Sequence, residues 1–456
     1  MDASNVTGER MAALDRIWED RAYSSSPIDD CWYADTVDLG GWPQLQGDET
    51  ADVAIIGGGF TGLSAALHLA EAGVKATVLE AQQPFWGASG RNGGFCCLGG
   101  SKLGYSGMKK MFGEAEARNW FKTERAAVEF VGGLIDRLGL DVDRHSDGET
   151  MVAHRPSDYE AMKRDLAFTN DLYGVESRLI PPDQMAQAGL KGPFHGAMQT
   201  PLGFALNPRK YASGLARSAK AAGATIYGDS AVTAVEKQPG GGYELRTKKG
   251  SIKAKKFIVA TNGYSSDNIP KWMKGRYIPT QSSIIVTREM TDEELSAQGW
   301  TSNQMCYDTR KLLHYFRLMP NNRMLFGMRG ALKHTHETET ENKARIRADF
   351  DEMFPAWRHV ETPYYWSGFV CLTRDFVPYV GPIPDMEGGF AGFAYHGNGV
   401  SMGSYSGALL ADLAQGKTPD RPYPAPMRHP PRRFPLGRFR RWLMKPAYLV
   451  YAWKDR

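Results

Sequence analysis

The feature that most constrains this chain is a glycine turn, Gly57-Gly58-Gly59-Phe60-Thr61-Gly62, placed directly after the apolar run Ala51–Ile56. That run reads as a strand buried on both faces, as a parallel sheet requires. A bare G-x-G-x-x-G is weak in a chain with 50 glycines among 456 residues, so the flanks decide. A helix is expected from about Gly62 to Ala72, stopped by Gly73, and a second strand from Lys75 to Glu80. The first glycine allows the tight turn, the second lets backbone approach a pyrophosphate, and the third lets helix and strand pack closely. The helix N-terminus offers free N–H groups and partial positive charge to phosphate. Glu80 can accept hydrogen bonds from a ribose diol and would repel a 2′-phosphate. The unit predicts a dinucleotide site; the competing reading is a purely structural turn.

The rest of the chain predicts an α/β protein with a discontinuous Rossmann-like dinucleotide-binding domain and an α+β substrate domain built on an antiparallel sheet. The expected boundaries are 1–50 for an N-terminal helix (about Asn5 to Arg21) and aromatic arm (Trp32, Tyr33, Trp42). The dinucleotide domain is expected at 51–107, 190–268 and 362–417, the substrate domain at 108–189 and 269–361, and a basic tail at 418–456. Helices are expected at Met111–Leu140, Pro208–Gly223, about Glu339–Phe354 and Ser404–Gln415. Strands are expected at Thr225–Tyr227 and Lys256–Ala260. Residues 278–329 read as strand throughout, with a hairpin turning at Asn321-Asn322.

Composition excludes several classes. With 42% hydrophobic and 23% charged residues the chain can bury a sizeable core. No apolar run is long enough to span a bilayer, and the N-terminus has no apolar signal core. Five cysteines, Cys31, Cys96, Cys97, Cys306 and Cys371, have no zinc-type spacing, the usage of a reduced, cytoplasmic protein. The net charge of +4 is uneven, because residues 418–456 carry ten Lys/Arg against Asp420 and Asp455. The main body is therefore slightly acidic and reads poorly as a nucleic-acid binder. The tail reads as an arm on the protein's own body or on a second subunit. The other reading is a peripheral membrane contact, against which Pro430, Pro431, Pro435 and Pro446 interrupt any long amphipathic helix.

A second glycine-rich segment, Trp86-Gly87-Ala88-Ser89-Gly90-Arg91-Asn92-Gly93-Gly94, follows Glu80. A nicotinamide domain has no need of it; a flavin ring beyond the pyrophosphate does. With ATNGY (Ala260–Tyr264) and GNGVSMGSYSG (Gly397–Gly407) the chain resembles the D-amino-acid oxidase family of FAD-dependent oxidoreductases, most of all its γ-glutamylputrescine oxidoreductase branch. The likeness covers roughly Cys31 to Lys417 and includes the Trp/Tyr arm and the hairpin YFRLMPNNRMLFG.

The resemblance implies FAD, held at its pyrophosphate by Gly57, Gly59, Phe60, Thr61 and Gly62 and at its ribose by Glu80 and Ala81. Gly87, Ala88, Ser89, Arg91, Asn92 and Gly93 would follow the pyrophosphate, ribityl chain and ring. Val232 would meet the adenine, and Thr261, Asn262 and Gly263 would close over the pyrophosphate. Gly397, Asn398, Gly399, Val400 and Ser401 would place donors near the flavin N1–C2=O edge. The implied activity is oxidation of a C–N bond in an amine or amino acid by hydride transfer to flavin N5, with hydrolysis of the imine. The implied substrates are a γ-glutamylputrescine-like polyamine derivative or a small secondary or D-amino acid. The acceptor is O2, a quinone or another oxidant. A flavin monooxygenase and a non-catalytic flavin subunit of a larger complex are the alternatives.

Substrate-facing candidates come from the hairpin, where alternation puts Leu313, Tyr315 and Arg317 on one face and His314, Phe316 and Leu318 on the other. Arg317 reads either as a bidentate carboxylate ligand or as a solvated sheet residue, with Arg329 a further candidate. Relatives often show S-G-H-G where this chain has His396-Gly397-Asn398-Gly399, so the family histidine falls on Asn398. Asn398 can donate an amide hydrogen bond and His396 can substitute from next door. Cys371, Cys96 and Cys97 read as inert buried thiols or as points of covalent flavin attachment.

Overall fold

The computed structural model describes residues 13–455. The expected strand–turn–helix–strand unit is present as a strand at Gly47–Ile56, a helix at Phe60–Glu71 and a strand at Ala76–Leu79. Ile55, Leu63 and Val78 are fully buried in one core cluster, and burial of such a side chain contributes roughly 1.5–3 kcal/mol. The Gly47–Ile56 strand pairs in parallel with Ala76–Leu79 on one side and Gly250–Val259 on the other. Thr225–Tyr227 and Gly389–Phe393 extend the parallel set outward. Ala234–Lys237 and Tyr243–Arg246 form an antiparallel flap on the long Gly250–Val259 strand.

The second sheet has eight strands, in the order Tyr364–Leu372, Ile278–Val286, Met324–Arg329, Tyr315–Leu318, Met305–Asp308, Glu149–Val152, Ala197–Thr200 and Arg178–Ile180. It is antiparallel apart from the Met305–Asp308 and Glu149–Val152 pair. Two strands expected in the FAD domain, within 190–268 and 362–417, lie in this sheet instead. The Tyr364–Leu372 strand pairs along its whole length with Ile278–Val286, so the chain crosses between sheets only after Leu372. An apolar run pairs wherever a partner edge is free, and sequence order does not reveal which edge that is.

Helices hold the sheets in place. Pro208–Ala221 starts where expected, with Asn207 accepting from the amides of Arg209 and Lys210 at 3.1 and 3.2 Å, a side-chain cap with proline at the first position. Glu114–Leu138 runs unbroken through Gly132-Gly133, after a separate short helix at Tyr105–Phe112. The 278–329 region is not all strand: Asp292–Gln298 is a helix closed by a capping box between Thr291 and Glu294. That T-x-x-E signal was present in the sequence. The expected N-terminal helix lies partly outside the described residues. From Ala13 to Glu19 the chain is irregular, and only a short 3-10 turn, Asp20–Tyr23, follows.

The Gly399–Ala414 helix begins five residues before the expected Ser404 and packs on the Phe60–Glu71 helix. The approach is tight: a Cβ on Gly407 would lie 2.3 Å from the Thr61 carbonyl oxygen. Ser64 Oγ donates to the Ser404 carbonyl at 2.7 Å, and Tyr211 and Ser404 share a 3.0 Å hydrogen bond. This packing brings the N-terminus of the second helix beside the glycine turn.

Candidate active site

A cavity of about 430 Å³ runs between the two sheets, within the range of small-molecule sites. Its nucleotide end is walled by the glycine turn. Gly57 has φ +106°, and a Cβ there would sit 2.8 Å from the Ala260 carbonyl oxygen. A Cβ on Gly62 would lie 1.9 Å from the Gly57 carbonyl oxygen, so the turn exists only with glycine at that position. Glu80 accepts from the Gly58 amide at 2.7 Å and from the Gln82 amide at 3.0 Å. Burial raises its pKa, opposed by these amides. Ser89 Oγ accepts from the Phe60 amide at 2.9 Å, placing a hydroxyl at the free N-terminus of the helix, where an anion binds. Arg16, from the N-terminal arm, lines the same end and keeps a buried Nε without a partner among the described residues.

Gly57, Gly59, Phe60, Thr61, Glu80, Ala81, Gly87, Ala88, Ser89, Val232, Thr261 and Asn262 all line this cavity. Gly62 and Gly263 stand just behind its wall as packing positions, and Gly263 faces Phe369. The residues fit FAD on physical grounds: a glycine cradle that a Cβ would fill, a helix N-terminus, a buried carboxylate for a diol and the Arg16 guanidinium, stacked on Tyr23 with its Nε unsatisfied among the described residues.

The middle of the cavity is walled by the second glycine loop. Asn92 ties that loop to itself, donating to the Ala88 and Ser89 carbonyls and accepting from the Gly94 amide at 2.8 Å. Arg91 is buried and donates to the Trp86 and Ser367 carbonyls while stacking on Trp86 at 4.2 Å. Its charge is therefore spent on backbone and joins the two sheets, even though its side chain borders the cavity. Opposite lies the Gly399–Ala414 helix with Asn398 at its N-cap. Gly397, Asn398, Gly399 and Val400 line the cavity, so unpaired amides of the first turn are available there. Ser401 is turned away and donates to the Cys97 carbonyl at 3.0 Å.

The substrate end corrects two expectations. Arg317 and Tyr315 do share a strand face, but only Tyr315 reaches the cavity, with its hydroxyl 2.9 Å from Ser282 Oγ. Arg317 is buried behind Gly93. It donates to the Gly93 carbonyl at 2.8 Å, the Leu206 carbonyl at 2.9 Å, Tyr33 at 3.2 Å and His145 at 2.8 Å. Burial and the Arg317 charge push His145 down to about 3, so it accepts as a neutral ring. Every nitrogen of the guanidinium is engaged, leaving nothing for a carboxylate. His396 borders the cavity, but both ring nitrogens are engaged: Nδ1 bonds the Gly100 carbonyl at 3.0 Å and Nε2 accepts from the Thr373 amide at 3.3 Å. Burial lowers its pKa to about 3, which suits this neutral role. Asn398 donates to the Leu98 carbonyl at 2.6 Å and faces Cys97 Sγ at 3.2 Å.

The substrate end has two cations the sequence reading had not brought together, Arg329 and Lys102. Neither makes a side-chain hydrogen bond or ion pair among the described residues. Lys102 is reached by solvent through the cavity but enclosed by protein. That enclosure, with the Arg329 and Lys311 charges, depresses its pKa to about 7. Tyr307 and Leu313 complete the wall. Tyr307 is the cross-strand partner of Tyr315 and donates to Glu149 at 2.6 Å, while the Leu98 amide donates to the same carboxyl at 2.8 Å. Burial raises Glu149 to about 7. Cys97 and Cys371 border the cavity as free thiols whose pKa values are raised by burial. Lys102 had one sequence signal: it closes the Gly99-Gly100-Ser101 loop that continues the second glycine segment.

Comparison with known proteins agrees with this architecture. The chain is 31% identical over 429 residues to "Probable oxidoreductase OrdL" of Rhizobium meliloti (strain 1021), spanning 93% of this chain and 97% of that one. It is 30% identical over 414 residues to the gamma-glutamylputrescine oxidoreductase of Escherichia coli (strain K12), spanning 89% and 93%. Among solved structures, glycine oxidase from Geobacillus kaustophilus superposes with a TM-score of 0.67 at 20% identity, over 82% of this chain and 96% of that one. The L-amino acid deaminase from Proteus vulgaris, with its specific insertion deleted, gives 0.68 at 17% identity, over 90% and 99%. The family described as DAO, FAD dependent oxidoreductase, matches residues 52–413, and the chain belongs to that family: it is an FAD-dependent oxidoreductase.

Proposed function

We propose that this enzyme oxidises the C–N bond of an amine that also carries a carboxylate: an amino acid, or a polyamine derivative bearing an amino-acid head. The observation that carries the reading is the pair of unpaired cations, Arg329 and Lys102, at the end of the cavity away from the glycine turn. Among the described residues Glu80 is the only carboxylate lining the cavity, and it lies at the nucleotide end. A substrate anion thus meets the Arg329 charge, joined by Lys102 when that lysine is protonated. An Arg–carboxylate hydrogen bond contributes about 1.5–3 kcal/mol.

Bound FAD supplies the hydride acceptor. The protein's residues set the pose. Arg329 anchors the carboxylate and Tyr315 and Tyr307 wall the chain of the substrate. Positive charge nearby disfavours a protonated amine, which keeps the nitrogen lone pair free for C–H cleavage. The relatives named for γ-glutamylputrescine, glycine and other amino acids support the amine class. The acceptor that reoxidises the enzyme is O2 or a quinone.

The test is anaerobic reduction of the purified holoenzyme by a panel of matched amines with and without a carboxylate. Bleaching at 450 nm by carboxylated amines, with slower bleaching by their esters, is expected. If NAD(P)H bleached the protein and no amine did, the reading would be wrong.

A further inference from the structure

The C-terminal segment presents an inside-out surface. A short 3-10 helix, Gly437–Leu443, leads into an α-helix, Met444–Lys454. Ion pairs and hydrogen bonds tie it to the body. Arg440 is fully buried and bidentate to Asp267 at 2.7 and 2.8 Å. Arg441 pairs with Glu19 at 2.7 Å. Arg155 donates to the Lys454 carbonyl at 3.0 Å, and Asp455 accepts from the Lys311 and Leu312 amides at 2.7 and 2.8 Å. An arm that merely covers its own body buries its apolar side and exposes its charges. Here the apolar side chains point out: Trp442 is 72% exposed, Trp453 70%, Leu449 67%, and Leu436 and Phe439 each 56%.

The spacing shows that these form one stripe. Leu436, Phe439 and Trp442 repeat every three residues, the period of a 3-10 helix. Leu449 and Trp453 then stand four apart in the α-helix, one turn along the same face. Arg438 and Lys445 flank the stripe as exposed cations, and no acidic residue occurs from Arg421 to Lys454. The helix is too short to cross a bilayer, and no described helix is long and apolar enough to do so.

We propose that this face docks the enzyme on an anionic lipid surface, with Trp442, Leu449 and Trp453 entering the interface and Arg438 and Lys445 meeting headgroups. Tryptophan suits that boundary, with an apolar body and a polar N–H, and exposed aromatic and aliphatic side chains flanked by cations suit a negatively charged headgroup layer. A second protein copy fits less well, since the stripe has no carboxylate of its own to pair with those cations across a two-fold axis. The docked helix lies over the substrate end. Asp455 holds the loop that leads into Leu313 of the cavity wall, and the buried Tyr448 hydroxyl feels the Arg329 charge.

Vesicle sedimentation of the holoenzyme tests this. Vesicles of phosphatidylcholine with phosphatidylglycerol should carry the protein down, and pure phosphatidylcholine should carry about tenfold less. Raising NaCl to about 0.5 M should weaken the binding. The triple variant Trp442→Ser, Leu449→Ser, Trp453→Ser should lose sedimentation while keeping its flavin spectrum and thermal transition. The variant Arg438→Glu, Lys445→Glu should lose the preference for phosphatidylglycerol. Wild-type protein that stays in the supernatant with both vesicles overturns the proposal, as does a triple variant that sediments unchanged. A wild-type dimer by light scattering, made monomeric by the triple variant without any vesicle binding, assigns the face to a second copy instead.

Discussion

The two ends of the cavity are built from different materials. At the nucleotide end the wall is mostly main chain: the glycine turn, the helix N-terminus and amides aimed at Glu80, all from residues within about one βαβ unit. At the substrate end the wall is side chains from segments far apart in the chain, namely Lys102, Tyr307, Tyr315 and Arg329. The first end accepts one ligand shape and tolerates little change. The second end can change its ligand by exchanging side chains on an intact sheet, which is how one fold hosts many substrates.

Arginines sharpen the contrast. Arg317 and Arg329 lie on adjacent antiparallel strands. Arg317 points under the Gly93 loop and holds the middle of the cavity wall from behind; Arg329 opens into the substrate end. The sheet thus assigns one guanidinium to the scaffold and one to the substrate end.

The largest effect should come from Gly62→Val. Its Cβ would overlap the Gly57 carbonyl oxygen, and backbone cannot yield there without opening the turn. We expect a cost above about 3 kcal/mol, read as loss of bound FAD in the 450 to 280 nm absorbance ratio. A retained flavin spectrum would break the picture of a backbone-built end.

Next comes pH. Glu124 and Glu149 are buried, with pKa values raised from 4.5 to about 7. Glu124 accepts from Trp120 and Tyr173 at 2.7 and 2.6 Å. A carboxyl whose folded pKa lies above its unfolded value adds stability that is complete below the unfolded pKa. That stability is lost as pH rises through the folded pKa. Urea unfolding should therefore show stability falling between pH 4.5 and about 7, by up to about 3 kcal/mol per group. Glutamine at both positions should flatten that slope, whereas an unchanged slope would mean that other groups carry it.

The arginine pair is the third test. Arg329→Met should lower kcat/KM for carboxylated amines by about 2–3 kcal/mol, roughly 30- to 150-fold, with FAD content and Tm unchanged. Arg317→Met should do the reverse, destabilising by about 1–3 kcal/mol because the Gly93 and Leu206 carbonyls lose their donors. Thermal unfolding alongside steady-state kinetics separates the two, and equal profiles would erase the division between the ends.

The smallest effect is expected at Ser89. Removing its hydroxyl takes away one acceptor at the Phe60 amide and one donor toward a phosphate. Ser89→Ala should weaken FAD binding by about 1 kcal/mol, some fivefold, in a fluorescence titration of the apoprotein.

What was legible follows the same division. The glycine turn, Glu80, the second glycine loop and the GNGV segment were readable because each is short and its glycines are demanded by local backbone geometry. The Asp292–Gln298 helix was readable too, through its capping box, but strand-like neighbours masked it. Arg317 was misassigned although its strand face was correct, because alternation tells which side a residue faces and not what covers that side. His396 was named for its neighbours in sequence; only packing shows both of its nitrogens engaged by the Gly100 carbonyl and the Thr373 amide.

The sequence by itself determined the dinucleotide turn, whose glycines are needed locally, and by resemblance of its glycine-rich segments it pointed to FAD and the family. Tertiary structure decided the sheet boundary after Leu372, the meeting of Lys102 with Arg329, and the outward stripe of the tail. Each of these depends on which distant surfaces are brought together, and burial of one residue by another leaves no mark on either residue's own neighbours in the chain.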